Sequence, residues 1–337
     1  MDQNVYYSSY LQLDKILNAQ APEGEKAGDP AHDEMLFIVI HQAYELWFKQ
    51  LLFEVNSIGN IFAQDTIQDN SPDLYTVCHR MKRVIAILRL LIDQISIMET
   101  MTPLDFLDFR NRLRPASGFQ SIQFKLLEAA LGLKMEDRFG KEYYTSQLTA
   151  ADRERVMAAE HQKGLIDLVN AWLERMPFFD HADYWPEGTD GFWEAYKSAY
   201  SKGLQPMEQF NLSRFEAAIV EKVQQEGERL SWRARRAALF IMLYRDYPML
   251  QLPFELINML LEIDECLATW RYRHMHMVHR VIGMRSGTGG STGKDYLKGA
   301  LDKHFIFSEF AALTSFLIEK KQLPELSQRL KEKLGFQ

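Results

Sequence analysis

Nine histidines are spread over this 337-residue chain, and one of them, His41, interrupts its most apolar helical stretch, MLFIVIHQAYELWFKQLLFE from Met35 to Glu54. An imidazole in such surroundings is either hydrogen-bonded within a core or turned toward a cavity where something reacts, because burying it without a partner is costly. On a helix Phe37, His41 and Glu45 follow at four-residue spacing and share a face. A backbone carbonyl or the Glu45 carboxylate is therefore the plain partner. The chemical alternatives are acid–base work, a hydrogen bond to a ligand, or ligation of haem or a metal ion.

A second group lies in WRYRHMHMVHRVIG, which holds Arg271, Arg273, His274, His276, His279 and Arg280. His274 shares its helix face with Trp270, Met277 and Val278 and is the apolar-facing member, whereas His276 faces polar surroundings. One imidazole on an apolar face suits axial ligation of haem, since the porphyrin supplies four equatorial nitrogens; solvated cations beside one core histidine is the bland alternative. A non-haem metal site needs three or more convergent ligands, and the chain has no Glu-x-x-His, His-Glu-x-x-His or CxxC motif.

Arg110 follows Phe106 by four residues in LDFLDFRNRL. A guanidinium flanked by aromatics suits two-point binding of a carboxylate, with an ion pair to Asp105 or Asp108 as the alternative. Ser117 in SGFQS either caps a helix start or touches a ligand. The segment GTGGSTGK resembles a phosphate loop only superficially: Thr288 stands where the first glycine is required, and Asp295 where Ser or Thr is required. It reads as a backbone that closes over a polar ligand, or as a surface linker. Near the N-terminus Tyr6, Tyr7, Tyr10, Leu11 and Leu13 cover a pocket, pack on another subunit, or pack within the chain.

These side chains need helices to hold them. Apolar residues recur at spacings of three and four in Met35–Phe62, Leu74–Met98, Phe119–Leu131, Val156–Trp172, Phe210–Val223, Ala234–Tyr244, Phe254–Met284 and Phe305–Ile318, with little strict alternation, so an all-α fold is expected. Thr102-Pro103 and Pro115 bracket a short helix, and Asp33 and Glu34 favour the exposed start of the first long one. Asp180–Gly191 divides the chain, though its aromatics suggest a packed connection. The net charge of -7 argues against general affinity for nucleic acid or anionic membranes. No run reaches the roughly 18 apolar residues of a membrane span. Two distant cysteines, Cys78 and Cys266, and no signal sequence make the cytoplasm the expected location.

The stretches YYSSYLQLDKILNAQ, HDEMLFIVIHQAYELWFKQLLFE, METMTPLDFLDFRNRLRPASGFQS, WRYRHMHMVHRVIG and SGTGGSTGKDYL together resemble the tryptophan 2,3-dioxygenase family, from Tyr6 to Leu297. That resemblance implies one all-helical haem-binding domain over residues 1–337, with residues 1–30 packing at a subunit interface of a homotetramer. It implies haem b, ferrous in the active form, and conversion of L-tryptophan and dioxygen to N-formyl-L-kynurenine, the first step of oxidative tryptophan degradation by the kynurenine pathway. By position in the family's motifs, His274 is the axial ligand, His41 the distal active-site histidine, and Ser117 a neighbour of the haem. Phe37, Tyr10 and Leu11, with Tyr7 nearby, surround the indole, while Arg110 and Thr288 hold the amino-acid end. Phe106 falls where some bacterial members have a tyrosine whose hydroxyl helps to hold the carboxylate, so Arg110 and Thr288 carry more of that recognition here. A haem or tryptophan sensor without activity, or a dioxygenase of a related indole, are the alternatives.

Overall fold

In the computed structural model, residues 4–64, 71–176, 182–185, 188–224, 226–283 and 294–335 are described, and no strand occurs among them. The principal helices are α1 (Tyr7–Leu11), α2 (His32–Phe62), α3 (Pro72–Met98), α4 (Pro103–Arg110), α5 (Ile122–Leu131), α6 (Ala150–Glu160), α7 (Leu165–Glu174), α8 (Gly188–Gly203), α9 (Trp232–Leu243), α10 (Pro248–Ile282), α11 (Lys294–Lys303) and α12 (Ser308–Leu313). The all-α expectation holds. Among the described residues no helix is long and apolar enough to cross a membrane.

Local chemistry sets several helix starts. Ser71 caps α3 by accepting the Leu74 N–H, with Pro72 at its first position, and Ser121 and Ser231 cap α5 and α9 in the same way. Thr102 and Asp105 form a reciprocal capping box at the start of α4. One expectation needs correcting: Glu34 is not at an exposed turn but buried, where its carboxylate accepts the backbone N–H groups of Glu23 and Gly24 at 2.8 and 2.9 Å and ties down the preceding loop.

Three boundaries differ from the periodicity. The run Val156–Trp172 is two helices, α6 and α7, separated at Gly164. The reason is steric: a Cβ on Gly164 would stand 2.3 Å from Gly132 Cα and 2.8 Å from Gly132 N, so two backbones cross there. Gly164→Ala is expected to lower stability by about 1–3 kcal/mol, the usual cost of overpacking, read as a lower denaturant midpoint; an unchanged midpoint would show that the crossing is not tight. The run Phe210–Val223 is a short α-helix that passes into a π-helix at Glu216–Val220, whose last carbonyls are satisfied by the buried guanidinium groups of Arg235 and Arg236. The run Phe305–Ile318 is only α12 followed by one 3-10 turn, Thr314–Phe316.

The three longest helices, α2, α3 and α10, span 31, 27 and 35 residues, and α3 packs along both of the others. Their burial changes along their length. In α10 the positions from Leu250 to Leu267 include most of its buried residues, and beyond Trp270 only Arg271 is buried. In α2 the balance is reversed, with the core residues concentrated from Phe48 to Phe62. The main apolar core therefore occupies one part of the bundle, where Trp185 also packs on Phe192 and Phe240. At the other end, the early part of α2, the late part of α10 and the end of α3 leave room between them. Helices α4, α5 and α11 close around that space.

Candidate functional site

The space is a cavity of about 580 Å³, lined mainly by apolar side chains such as Phe37, Met98, Met101, Met277, Val281 and Ile282. That is the size and character of a small-molecule or cofactor pocket, in which a few polar groups fix orientation. Its polar groups come from separate helices: His41 and Glu45 from α2, Arg110 from α4, Lys125 and Glu128 from α5, and Arg271 and His274 from α10.

His41 turns its ring into the cavity. Its Nδ1 lies 2.7 Å from the Phe37 carbonyl, one helical turn earlier, and the rings of Phe37 and His41 are 4.2 Å apart. A carbonyl can only accept, so Nδ1 carries the proton. His41 is exposed by surface area because its ring faces the open cavity, yet the protein around that cavity desolvates it and lowers its pKa, against the opposing pull of the Phe37 carbonyl and of Glu45. The ring is thus a neutral Nδ1–H tautomer, with the Nε2 lone pair left as an acceptor. Glu45 is not its hydrogen-bond partner. Its carboxylate instead accepts from the Ser121 hydroxyl at 2.6 Å and the Gln123 amide at 3.0 Å, which fastens α2 to the start of α5.

His274 lies parallel to Trp270, ring centroids 5.1 Å apart and 4° between planes. Its Nδ1 is buried without a hydrogen-bond partner among the described residues. Burial, with a smaller contribution from His41, pushes its pKa down to about 4, so it is neutral at physiological pH. His276 points away, exposed and against Tyr272, as its place on the helix predicts.

Arg110 is buried at 4% exposure on the cavity wall, next to Phe106, Phe109 and Leu113. Asp105 is engaged elsewhere, accepting the Thr102 N–H at 2.8 Å. Phe106 packs 5.7 Å from Phe37 and 5.4 Å from Phe109, ring to ring. Ser117 serves both expected ends: its hydroxyl accepts the Phe119 N–H at the start of a 3-10 turn, and it lines the cavity.

Six of the expected site residues, Phe37, His41, Phe106, Arg110, Ser117 and His274, thus line one cavity. Tyr7, Tyr10 and Leu11 lie on α1, are exposed, and do not line the cavity of their own chain. Thr288 and the glycines around it lie outside the described residues.

The charged lining residues on α5, Lys125 and Glu128, escaped the sequence reading, and Arg271 of α10, expected there as a solvated cation beside His274, is buried. Lys125 is buried, with its Nζ 4.2 Å from the centre of the Tyr144 ring and no carboxylate within ion-pair distance among the described residues. Burial pushes its pKa down to about 8, against the pull of Glu128. Glu128 and Arg271 form a buried ion pair at 2.7 Å. The available signal was Lys125 and Glu128 three apart inside the apolar pattern of α5, charges as anomalous there as His41 is in α2. Among the described residues no three His, Cys, Asp or Glu side chains converge to hold a metal ion by themselves.

A profile of the family described as tryptophan 2,3-dioxygenase matches residues 1–317. The chain is 44% identical to the tryptophan 2,3-dioxygenase of Alteromonas mediterranea over 98% of its own length and 97% of the relative's. It is 41% identical to that of Bdellovibrio bacteriovorus, covering 98% of each chain, and 39% identical to that of Rattus norvegicus, covering 95% of this chain and 84% of the relative. With a matching profile over nearly all of its length and relatives aligned end to end, the chain belongs to the tryptophan 2,3-dioxygenase family.

Proposed function

We propose that the cavity holds haem b through His274 and that the protein converts L-tryptophan and dioxygen to N-formyl-L-kynurenine, opening oxidative tryptophan degradation. The observation that carries this reading is the convergence of His41, Arg110 and His274, from three different helices, on one largely apolar cavity.

The residues present fit a haem. A porphyrin needs only one axial ligand from the protein, and His274 is a neutral imidazole with a lone pair to give. That no three-residue metal cluster occurs among the described residues is no obstacle to a ring that brings four nitrogens of its own. Lys125, buried with no carboxylate within ion-pair distance among the described residues, would pair with an anionic edge of the ring, and the methionines and branched side chains suit its apolar faces. When bound, ferrous haem supplies the electron density that lets ground-state dioxygen react with an indole.

The chain's own residues bind and orient the substrate. Nε2 of His41 accepts the indole N–H, and the fixed Nδ1–H···O=C bond to Phe37 holds the ring for that purpose. The imidazole has no need to remove the proton, which a neutral imidazole does poorly from so weak an acid. Phe37 and Phe106 flank the indole, and Arg110 takes the carboxylate through two hydrogen bonds. Thr288 is assigned to the amino-acid end. The exposed aromatics of α1 support their being covered by another subunit of a homotetramer, where Tyr7, Tyr10 and Leu11 reach the neighbour's site. The two cysteines are buried and free, in keeping with a reducing cytoplasm.

The decisive experiment supplies the reduced, haem-loaded protein with L-tryptophan and isotopically labelled dioxygen. Both oxygen atoms should appear in a product of formylkynurenine mass; haem binding without that product would leave only a binding role. His41→Ala should keep its haem and lose roughly 10–100-fold in kcat/KM, the cost of about 1–3 kcal/mol for one unmade hydrogen bond in a dry site. With 1-methyltryptophan, which lacks the N–H, the variant and the parent should differ little. An equal loss on both substrates would remove the proposed hydrogen bond.

A further inference from the structure

In the cavity wall lies a buried charge cluster that the reading above does not use. Glu128, on α5, is 3% exposed and Arg271, on α10, is 5% exposed. One guanidinium nitrogen of Arg271 donates to Glu128 Oε1 at 2.7 Å and the other to the His304 carbonyl, just past the end of α11, at 2.9 Å. Arg271 precedes His274 by three residues, one turn of the same helix. The arrangement is a clamp: one carboxylate on α5 fixes one guanidinium, which joins the histidine-bearing helix to α11. Tyr296, Leu297 and Ala300 of α11 line the same cavity.

The other side of the cluster is bound differently. Arg138 donates to Glu128 Oε2 and, through Nε, to Glu160 at 3.1 Å, so it has two carboxylates. For Arg271 Glu128 is the sole carboxylate within ion-pair distance among the described residues; Asp264 feels its charge from farther off and is itself held by the Ile306 and Phe307 N–H groups. Loss of the Glu128 charge therefore leaves Arg138 paired and strands Arg271. The disturbance is directed toward α10 and His274, away from α6. Burial alone would raise the Glu128 pKa, but Arg138, His304 and Arg271 outweigh it and hold the carboxyl well below its usual range.

We propose that Glu128 is a positioning residue that acts through Arg271 to fix the cavity wall carrying His274. Neither residue touches the imidazole, so the effect reaches His274 through one turn of α10; partners bonded directly to a ligating imidazole cost about 10–100-fold in affinity when lost. The effect on haem rests on the haem reading given above; the effect on the wall does not.

The test compares Glu128→Gln with Glu160→Gln, which removes a carboxylate from the same cluster without touching Arg271. On the haemin-loaded protein, Glu128→Gln is expected to release haemin to an acceptor globin about tenfold faster, the low end of that range because the contact is indirect. It should also shift the iron–histidine stretch of the ferrous form, with Glu160→Gln close to the parent in both. The double variant Glu128→Gln/Arg271→Met, which removes the stranded charge, should recover part of the loss. If the parent takes up no haemin, the haem reading fails and the ligand-free protein decides this one: amide exchange of residues 268–278 should quicken in Glu128→Gln and not in Glu160→Gln. Where Glu128→Gln does not fold, Glu128→Asp replaces it, a retained charge with too short a reach. Equal effects of the two glutamate substitutions, or a Glu128 variant with parental release rate, stretch and exchange, would overturn the proposal.

Discussion

His274→Ala is expected to emerge with its haem content reduced by more than the roughly 10–100-fold that outer-shell substitutions cost, and with activity falling in step. The physical basis is the state of the imidazole. A histidine pushed down to about 4 by burial has no proton to displace at neutral pH, and among the described residues no hydrogen bond holds its Nδ1 in a structural role. A purely structural core histidine has a partner, as His304 does in accepting the Phe139 N–H at 3.1 Å. The competing assignment is His41, the other imidazole on the cavity wall. The two variants separate them. If His274 is the ligand, His274→Ala loses the Soret band and regains it with added imidazole, while His41→Ala keeps it. The reverse pattern would exchange the two roles, and full haem in both variants would remove histidine ligation altogether.

How much of this was legible beforehand follows from where burial and periodicity agree. In α3 the apolar spacing alone points to the helix, and the expected span, Leu74–Met98, is close to the observed one, which Ser71 caps. His41 and His274 could be singled out because each is a polar residue at an apolar phase of a strong helical pattern. Lys125 and Glu128 satisfy the same criterion but sit in a shorter helix, where charge reads as surface unless the neighbouring helices are known. The α6–α7 break was hidden for another reason: a close approach of Gly164 to Gly132, thirty-two residues away, is a tertiary event with no local period. Tyr7 and Tyr10 are a third kind of case. Their exposure on a single chain is compatible with a role in a neighbour's site, which only an assembly can display.

Arg110→Met should change what the protein selects more than whether it reacts. Methionine keeps the length and apolar character needed between Phe106, Phe109 and Leu113, so the wall should survive while the fork of donors is lost. Each hydrogen bond between charged groups contributes about 1.5–3 kcal/mol, and a two-point contact in a partly dry cavity should therefore cost about 3–4 kcal/mol, or roughly 10²–10³-fold in kcat/KM for L-tryptophan. Phe106, a phenylalanine buried among aromatic neighbours, has no hydroxyl to compensate. Tryptamine, which has the indole and the amine but no carboxylate, should be handled by the variant and the parent alike. Arg110→Lys should fall between them, because a lysine keeps the charge and loses the paired geometry. The measurement is the ratio of kcat/KM for tryptophan over tryptamine: it should collapse in Arg110→Met. A proportional loss on both substrates would instead make Arg110 a structural cation of the wall.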